Sequence, residues 1–283
     1  MLDQNKDARR ALQESGTKYS EDISKELTID LDFWKIYEYN VDSTSSLHNN
    51  FGAMFGALGN GVIVIDEALT LEKYIACYAG IHFHKLQRCF SAITNQIPDN
   101  SDIEIIDYGC GQALATTLFY NYIIQNKLNY NIKTIALIEP SELALMRGIL
   151  HLNHFIDHKA QITEIKPVKK LMNDIIDSDL KTEDANIKIH LFSNILDIST
   201  VDLTELATKI QNTQKGLNYF ICTGTYNHLV LARMEQFRGF FDNMPIACNS
   251  YRMEGLAYDI KIQRWRKDFG IKMYIRVFYC NFE

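Results

Sequence analysis

The chain has 283 residues, 47% of them apolar and 23% charged, with 4 prolines, 14 glycines and a formal net charge of −6. This is enough for one large domain or a domain with a cap, and it excludes long disordered tracts and any global pull toward nucleic acid or anionic membrane. Six cysteines without Cys-x-x-Cys spacing, a polar Met1–Glu14 and no apolar run of bilayer length predict free thiols, no metal site, no membrane span and a cytoplasmic home.

Residues 1 to about 30 are polar and are expected to be loosely packed. Phe33 to Tyr39 is aromatic-rich and should pack on the main body, as an arm or as part of a substrate lid. Asn49 to Gly61 is glycine-rich but lacks the Lys-Ser/Thr ending of a phosphate loop, so it predicts a flexible connection with apolar anchors. Val62 to Asp66 predicts a short strand or extended segment. From Ala68 to Ile97 the period is helical: Leu71, Ile75, Tyr78, His82, Leu86, Cys89 and Ile93 fall on one stripe, and Pro98 ends it. Tyr78 and His82 could face a ligand from that helix, although a core stripe with polar tips is the plainer reading.

Ile103 to Ala113 is a buried strand, a tight turn and a helix start. Gly109 and Gly111 let backbone approach a ligand where a Cβ would clash, and the free N–H groups of the helix start point into the same space. Leu114 stands where a dinucleotide fingerprint has its third glycine. After the helix to about Gln125 comes a second strand, Ile132–Ile138, closed by Glu139-Pro140-Ser141. A carboxylate offers acceptors only and can take both hydroxyls of a ribose, and ligands bind outside the carboxyl ends of such strands. Ser141 starts a helix through about His154. A short third strand is predicted at Gln161–Ile165, followed by Lys166–Lys170 with no acid, and a weak helix at Leu171–Asp179. The strand from Ile187 carries Ser193, Asn194 and Asp197 at its end. A helix (Asp202–Gln211), a fifth strand (Leu217–Tyr226), a further helix (Asn227–Phe241) and two strand-like runs (Ala257–Ile262, Lys272–Cys280) complete the chain. The basic run Lys261, Arg264, Arg266, Lys267, Lys272 and Arg276 reads as a strand edge protected from pairing or as a phosphate-reading patch.

The pattern Asp107-x-Gly109-x-Gly111-x-Ala113, with Glu139 and the strand order, resembles motif I and the following acid of the class I S-adenosylmethionine (SAM) dependent methyltransferases. Alanine replaces that family's usual third glycine. The resemblance covers about residues 100–283. It implies an α/β fold: a Rossmann-like, mostly parallel sheet with an antiparallel C-terminal strand, residues 99–283, preceded by a helical extension or cap, residues 1–98. It implies SAM as cofactor, held by Asp107, Gly109, Cys110, Gly111, Gln112, Glu139, Pro140, Ser193 and Asn194, with Glu139 on the ribose. The acid that often contacts adenine after the third strand is not placed. The Asn/Asp-Pro-Pro-aromatic box of base-amino methylators is absent, so a small-molecule or protein acceptor is favoured over DNA, with RNA open. His82, Tyr78 and Tyr226 are the candidates for proton exchange. Phe192-Ser193-Asn194-x-x-Asp197 also resembles methyltransferase-like regulators such as the plant GRAS proteins. That keeps a non-catalytic binding or regulatory module as the alternative.

Overall fold

The computed structural model describes residues 18–27, 32–59, 63–159, 163–182 and 185–283. The loosely packed arm expected at residues 1–17 and 28–31, part of the glycine-rich connection (60–62) and the first residues of the expected third strand (161–162) lie outside these.

Seven strands form one sheet in the order β3-β2-β1-β4-β5-β7-β6. They are β1 (Asp102–Tyr108), β2 (Asn131–Ile138), β3 (Glu164–Val168), β4 (Ile187–Ser193), β5 (Gly216–Thr225), β6 (Met244–Asp259) and β7 (Arg264–Phe282). β1 to β5 pair in parallel, and β7 inserts antiparallel between β5 and β6. This is the Rossmann-like sheet with one reversed C-terminal strand that the resemblance implies. The order turns back between β1 and β4, which makes the crevice outside their carboxyl ends the place for a ligand.

The strands sort their side chains by period two. Ile103, Ile105, Ile135, Leu137, Ile189 and Leu191 enter one apolar cluster, while Ile106, Tyr108, Ala136, Ile138, Phe192 and Phe220 enter the other. Both faces are therefore covered, as a parallel sheet requires. On the second face aromatic rings stack strand to strand: Tyr108 on Phe192 at 4.2 Å and Phe220 on Phe278 at 4.8 Å.

The helices are α1 (18–27), α2 (Phe33–Ser43), α3 (Phe51–Gly56), α4 (Ala68–Thr94), α5 (Leu114–Gln125), α6 (Glu142–Lys159), α7 (Asp177–Leu180), α8 (Leu203–Thr213) and α9 (His228–Arg238). α4 follows its predicted stripe: Leu71, Ile75, His82, Leu86, Cys89 and Ile93 are buried. α2 begins at Asp32, whose side chain accepts from the Trp34 N–H. Phe33 and Trp34 then pack on Phe83 of α4.

Four expectations are corrected. Residues 18–27 are helical and bury Tyr19, Ile23 and Leu27, so this part is not loose. The flexible connection contains a 3-10 turn (Ser45–Asn50) and α3, started by the Asn50 side chain accepting from the Ala53 N–H. β3 begins and ends three residues later than expected and contains Pro167, which an edge strand tolerates. β6 begins at Met244, far before the expected Ala257, so the tail is one long hairpin. Residues 244–254 of β6 are exposed or half-buried on both faces, so no apolar alternation marks them in sequence. The hairpin holds the N-terminal helices: the Tyr258 N–H donates to Tyr37 Oη at 3.0 Å. A Cβ at Gly80 would meet that Tyr37 ring at 2.9 Å, so α4 needs glycine where α2 crosses it.

Candidate functional site

The turn after β1 is built on left-handed backbone: Gly109 has φ +60°, Gly111 +53° and Ala113 +52°. A Cβ on Gly109 would lie 2.4 Å from Ile195 Cδ1, so this glycine makes room for the loop after β4. A Cβ on Gly111 would meet nothing within 4 Å; that residue borders open space. Ala113 accepts an unfavourable φ that costs about 1 kcal/mol. Its methyl faces Gly148 of α6, where an added Cβ would lie 2.8 Å away. The glycine missing from the loop is thus compensated by one on the neighbouring helix.

Two carboxylates organise this turn. Asp107 is buried and accepts from Thr116 Oγ1 at 2.7 Å and from the Thr116 N–H at 3.3 Å, so it ties the strand end to the first turn of α5. Burial raises its pKa to about 7, partly opposed by the Thr116 hydrogen bonds, with Glu139 adding to the rise. Glu139 accepts from the Gly111 N–H at 3.0 Å and from the Ser141 N–H at 3.0 Å, one on each oxygen. Each oxygen keeps a second lone pair for a ligand. Burial again raises the pKa, against those two backbone bonds.

A cavity of about 360 Å³ opens beside Glu139 and Pro140. Leu171, Met172, Ile195, Ile198 and Val201 give it apolar walls, and Asn173 and Asp174 stand in its lining. Asn173 ties the loops after β3 and β4 together: its amide donates to Thr200 O at 2.7 Å and accepts from the Asp202 N–H at 3.0 Å. The run Lys166–Lys170 holds no acid, as the sequence indicated, and the first acid after β3 is Asp174. Because β3 runs on to Val168, the loop reaches Asp174 before it turns back.

At the end of β4, Asn194 takes a left-handed φ of +58° and its N–H donates to Thr223 O. Its side chain joins a buried chain of bonds. Lys85 Nζ donates to Asn194 Oδ1 at 3.2 Å, so Asn194 Nδ2 donates to His82 Nε2 at 3.0 Å. His82 Nδ1 must then carry the proton and faces Ser193 Oγ at 3.0 Å. Burial, and secondarily Lys85, hold His82 neutral with its pKa far below the ordinary value. Its one lone pair is already used, so His82 positions Asn194 and Ser193 and has no free site to take a proton.

A second cavity, of about 800 Å³, lies on the far side of Asn194. Tyr74, Tyr78, His82 and Lys85 of α4 form one wall, and Asp197, Leu229, Val230 and Lys272 contribute others. Tyr74 and Asn194 border both cavities. A cleft of only about 20 Å³ lies between the glycine turn and α4, lined by Tyr74, His82, Asp107, Cys110, Gly111 and Ser193.

The structure thus brings together Asp107, Gly109, Cys110, Gly111, Glu139, Pro140, Ser193, Asn194, Tyr78 and His82. Gln112 turns away: its amide donates to Leu71 O at 2.9 Å under α4. Tyr226 stands apart from His82, stacked on Tyr274 at 4.7 Å, and lines a shallow cleft with Ser250, Tyr251 and Arg252. The Cys110 thiol is buried, and burial together with Asp107 and Glu139 keeps it protonated. Among the described residues no three His, Cys, Asp or Glu side chains form a metal site, and no helix is long and apolar enough to cross a membrane. The basic run of the tail is divided: Arg266 pairs with Asp259 and Asp268, and Arg276 with Glu235.

Two residues of the site escaped sequence reading. Lys85 sits three residues after His82 on the buried stripe, and a lysine inside an apolar stripe was the signal. Asp174 was hidden by Pro167, which looks like a turn residue and made β3 seem to end early.

No protein-family model and no curated protein sequence matches the chain. Among solved structures it is similar to a precorrin-6y C5,15-methyltransferase from Geobacter metallireducens, with 12% identity over 69% of this chain and 88% of that one and a TM-score of 0.44. It is similar to a SAM-dependent O-methyltransferase from Thermotoga maritima, with 13% identity, 69% and 64% coverage and a TM-score of 0.42. A third is a SAM-dependent methyltransferase from Leishmania major, with 11% identity, 80% and 82% coverage and a TM-score of 0.41. At this identity and score the likenesses assign no residue and no activity, and the fold stands on the strand order itself.

Proposed function

We propose that this protein is a SAM-dependent methyltransferase. In this reading the smaller cavity takes the adenosine part of the cofactor and the larger one takes the methyl acceptor. The observation that carries it is the pairing of Glu139 with the Gly111 turn beside an apolar cavity, at the place where the sheet order reverses. The donor set suits a nucleoside. Glu139 has free lone pairs for a ribose diol, the Gly111 Cβ position is open, and Leu171, Met172 and Ile195 offer apolar contact for a flat base. Asp174 can accept from an exocyclic amino group. Ser193 and the narrow cleft beside it are left for the methionine part.

When bound, SAM supplies an electrophilic methyl group on a sulfonium. The task of the protein is to orient the acceptor and exclude water. Tyr74 and Asn194 border both cavities and would line the path between them. Lys85 and the buried bond chain fix Asn194, and Asp107 fixes the helix start.

Calorimetric titration with SAM and S-adenosylhomocysteine tests the reading. Micromolar binding weakened at least tenfold by Glu139→Ala is the expected result. Absence of heat with both ligands overturns it. Transfer of label from SAM into a cell extract then separates an enzyme from a module that only holds the nucleoside.

A further inference from the structure

We infer that the larger cavity binds a small molecule with an aromatic body and an anionic group, and that the Lys85 ammonium meets the anion. This deepens the proposed function, since it names the acceptor class of the same site. The cavity's volume, about 800 Å³, is of small-molecule scale, within the roughly 300–1,000 Å³ typical of ligand sites. Its walls include Phe55, Tyr78, Ile81 and Leu229, which suit a flat apolar body.

Its charge is the opposite of the chain's. The protein is acidic as a whole, yet Lys85, Arg233 and Lys272 line this cavity against the single carboxylate Asp197. Arg233 is largely engaged: three of its five N–H donors go to Leu196 O, Ile198 O and Val201 O at 2.7–2.9 Å. Lys85 is not. It is 3% exposed, its hydrogen bond goes to the neutral Asn194 amide, and among the described residues no carboxylate lies within ion-pair distance of it. A buried ammonium in that position is costly until an anion joins it. Burial lowers the Lys85 pKa to about 8 despite Asp197, which reports the same deficit. Lys272, beside the Tyr226 ring at 5.8 Å, gives the cavity a second positive group.

The test uses 4-hydroxybenzoate and its neutral partner 4-hydroxybenzamide, titrated into the full chain by ligand-observed NMR at neutral pH. The carboxylate is expected to bind at least tenfold more tightly. In Lys85→Met that preference falls below twofold, while in Glu139→Ala it persists. If Lys85→Met does not fold, Lys85→Gln keeps a hydrogen bond to Asn194 and removes the charge. Equal binding of the two probes, no binding of either, or a preference that survives both Lys85 variants overturns the inference. S-adenosylhomocysteine, titrated into the same sample, reads the other cavity. A carboxylate preference without nucleoside binding would remove the methyltransferase reading and leave the anion site standing. Nucleoside binding without the preference would remove only the anion site.

Discussion

The two sides of Asn194 handle buried charge in opposite ways. On the glycine-turn side the acids are met by backbone. Asp107 and Glu139 each accept from main-chain N–H groups at the start of α5 or α6, and Thr116 adds a hydroxyl. On the α4 side the bases are left short: Lys85 reaches one amide, and His82 is held neutral. The difference follows from what a fold supplies freely. Strand-to-helix turns present N–H donors with nothing to donate to, so an acid placed there is satisfied as the chain folds. A helix interior presents no spare acceptor, so a buried base there depends on a side chain of another element: Arg147 of α6 finds the Glu72 carboxylate, whereas Lys85 finds only a neutral amide. The first side is complete before a ligand arrives; the second is not.

The strongest way to break this comparison is Glu139→Ala. If the acid side serves the nucleoside, affinity for S-adenosylhomocysteine falls by one to two orders of magnitude, about 1.5–3 kcal/mol for hydrogen bonds to a charged group. An unchanged titration would mean that Glu139 only fastens the turn. Next comes Gly109→Ala. Its φ of +60° and the 2.4 Å approach to Ile195 Cδ1 predict a loss of about 2–4 kcal/mol in chemical denaturation, partly restored by Ile195→Val.

The pH dependence of stability sharpens the comparison, because the two sides have opposite signs. Asp107 has a folded pKa of about 7, above its unfolded value, so the native state holds the proton longer. Stability is therefore lost as pH rises from about 4 to 7, by a few kcal/mol at most, and Asp107→Asn should flatten that slope. Lys85 has a folded pKa of about 8, below its unfolded value, so the native state releases the proton first. Stability is therefore regained as pH rises from about 8 to 10.5, and Lys85→Met should abolish the gain. Urea melts across pH check both. The smallest effect is Gly111→Ala: with nothing within 4 Å of the new methyl, only the backbone cost of about 1 kcal/mol is expected.

The same contrast explains what could be read from sequence. Asp107, Gly109, Gly111 and Glu139 lie at strand ends within short, regular segments, where local pattern and the family resemblance both mark them. The largely parallel character of the sheet followed from alternating strand and helix patterns, and its reversed C-terminal strand from the family resemblance. The amine side depends on residues far apart in the chain: Lys85 meets Asn194 across 109 positions, and His82 meets Ser193 across 111. No local pattern reports such a meeting. Tyr226 was misplaced for a related reason. It directly follows β5, where an acceptor-facing residue would stand, but it is half exposed and stacked on Tyr274 of β7. Arg266 and Arg276 looked like parts of one basic surface until their partners Asp259, Asp268 and Glu235 were placed beside them.

Asn194 is also a shared boundary, and that makes it a point of thermodynamic linkage. Its one side chain borders both cavities, and its amide is held by Lys85 and His82. A molecule that shifts this amide from one side alters the surface offered to the other. If both cavities fill as proposed, each occupant changes the affinity for the other by one common factor, whichever enters first. Asn194→Gly removes the amide from that boundary and leaves Tyr74, so the coupling between the two cavities should weaken.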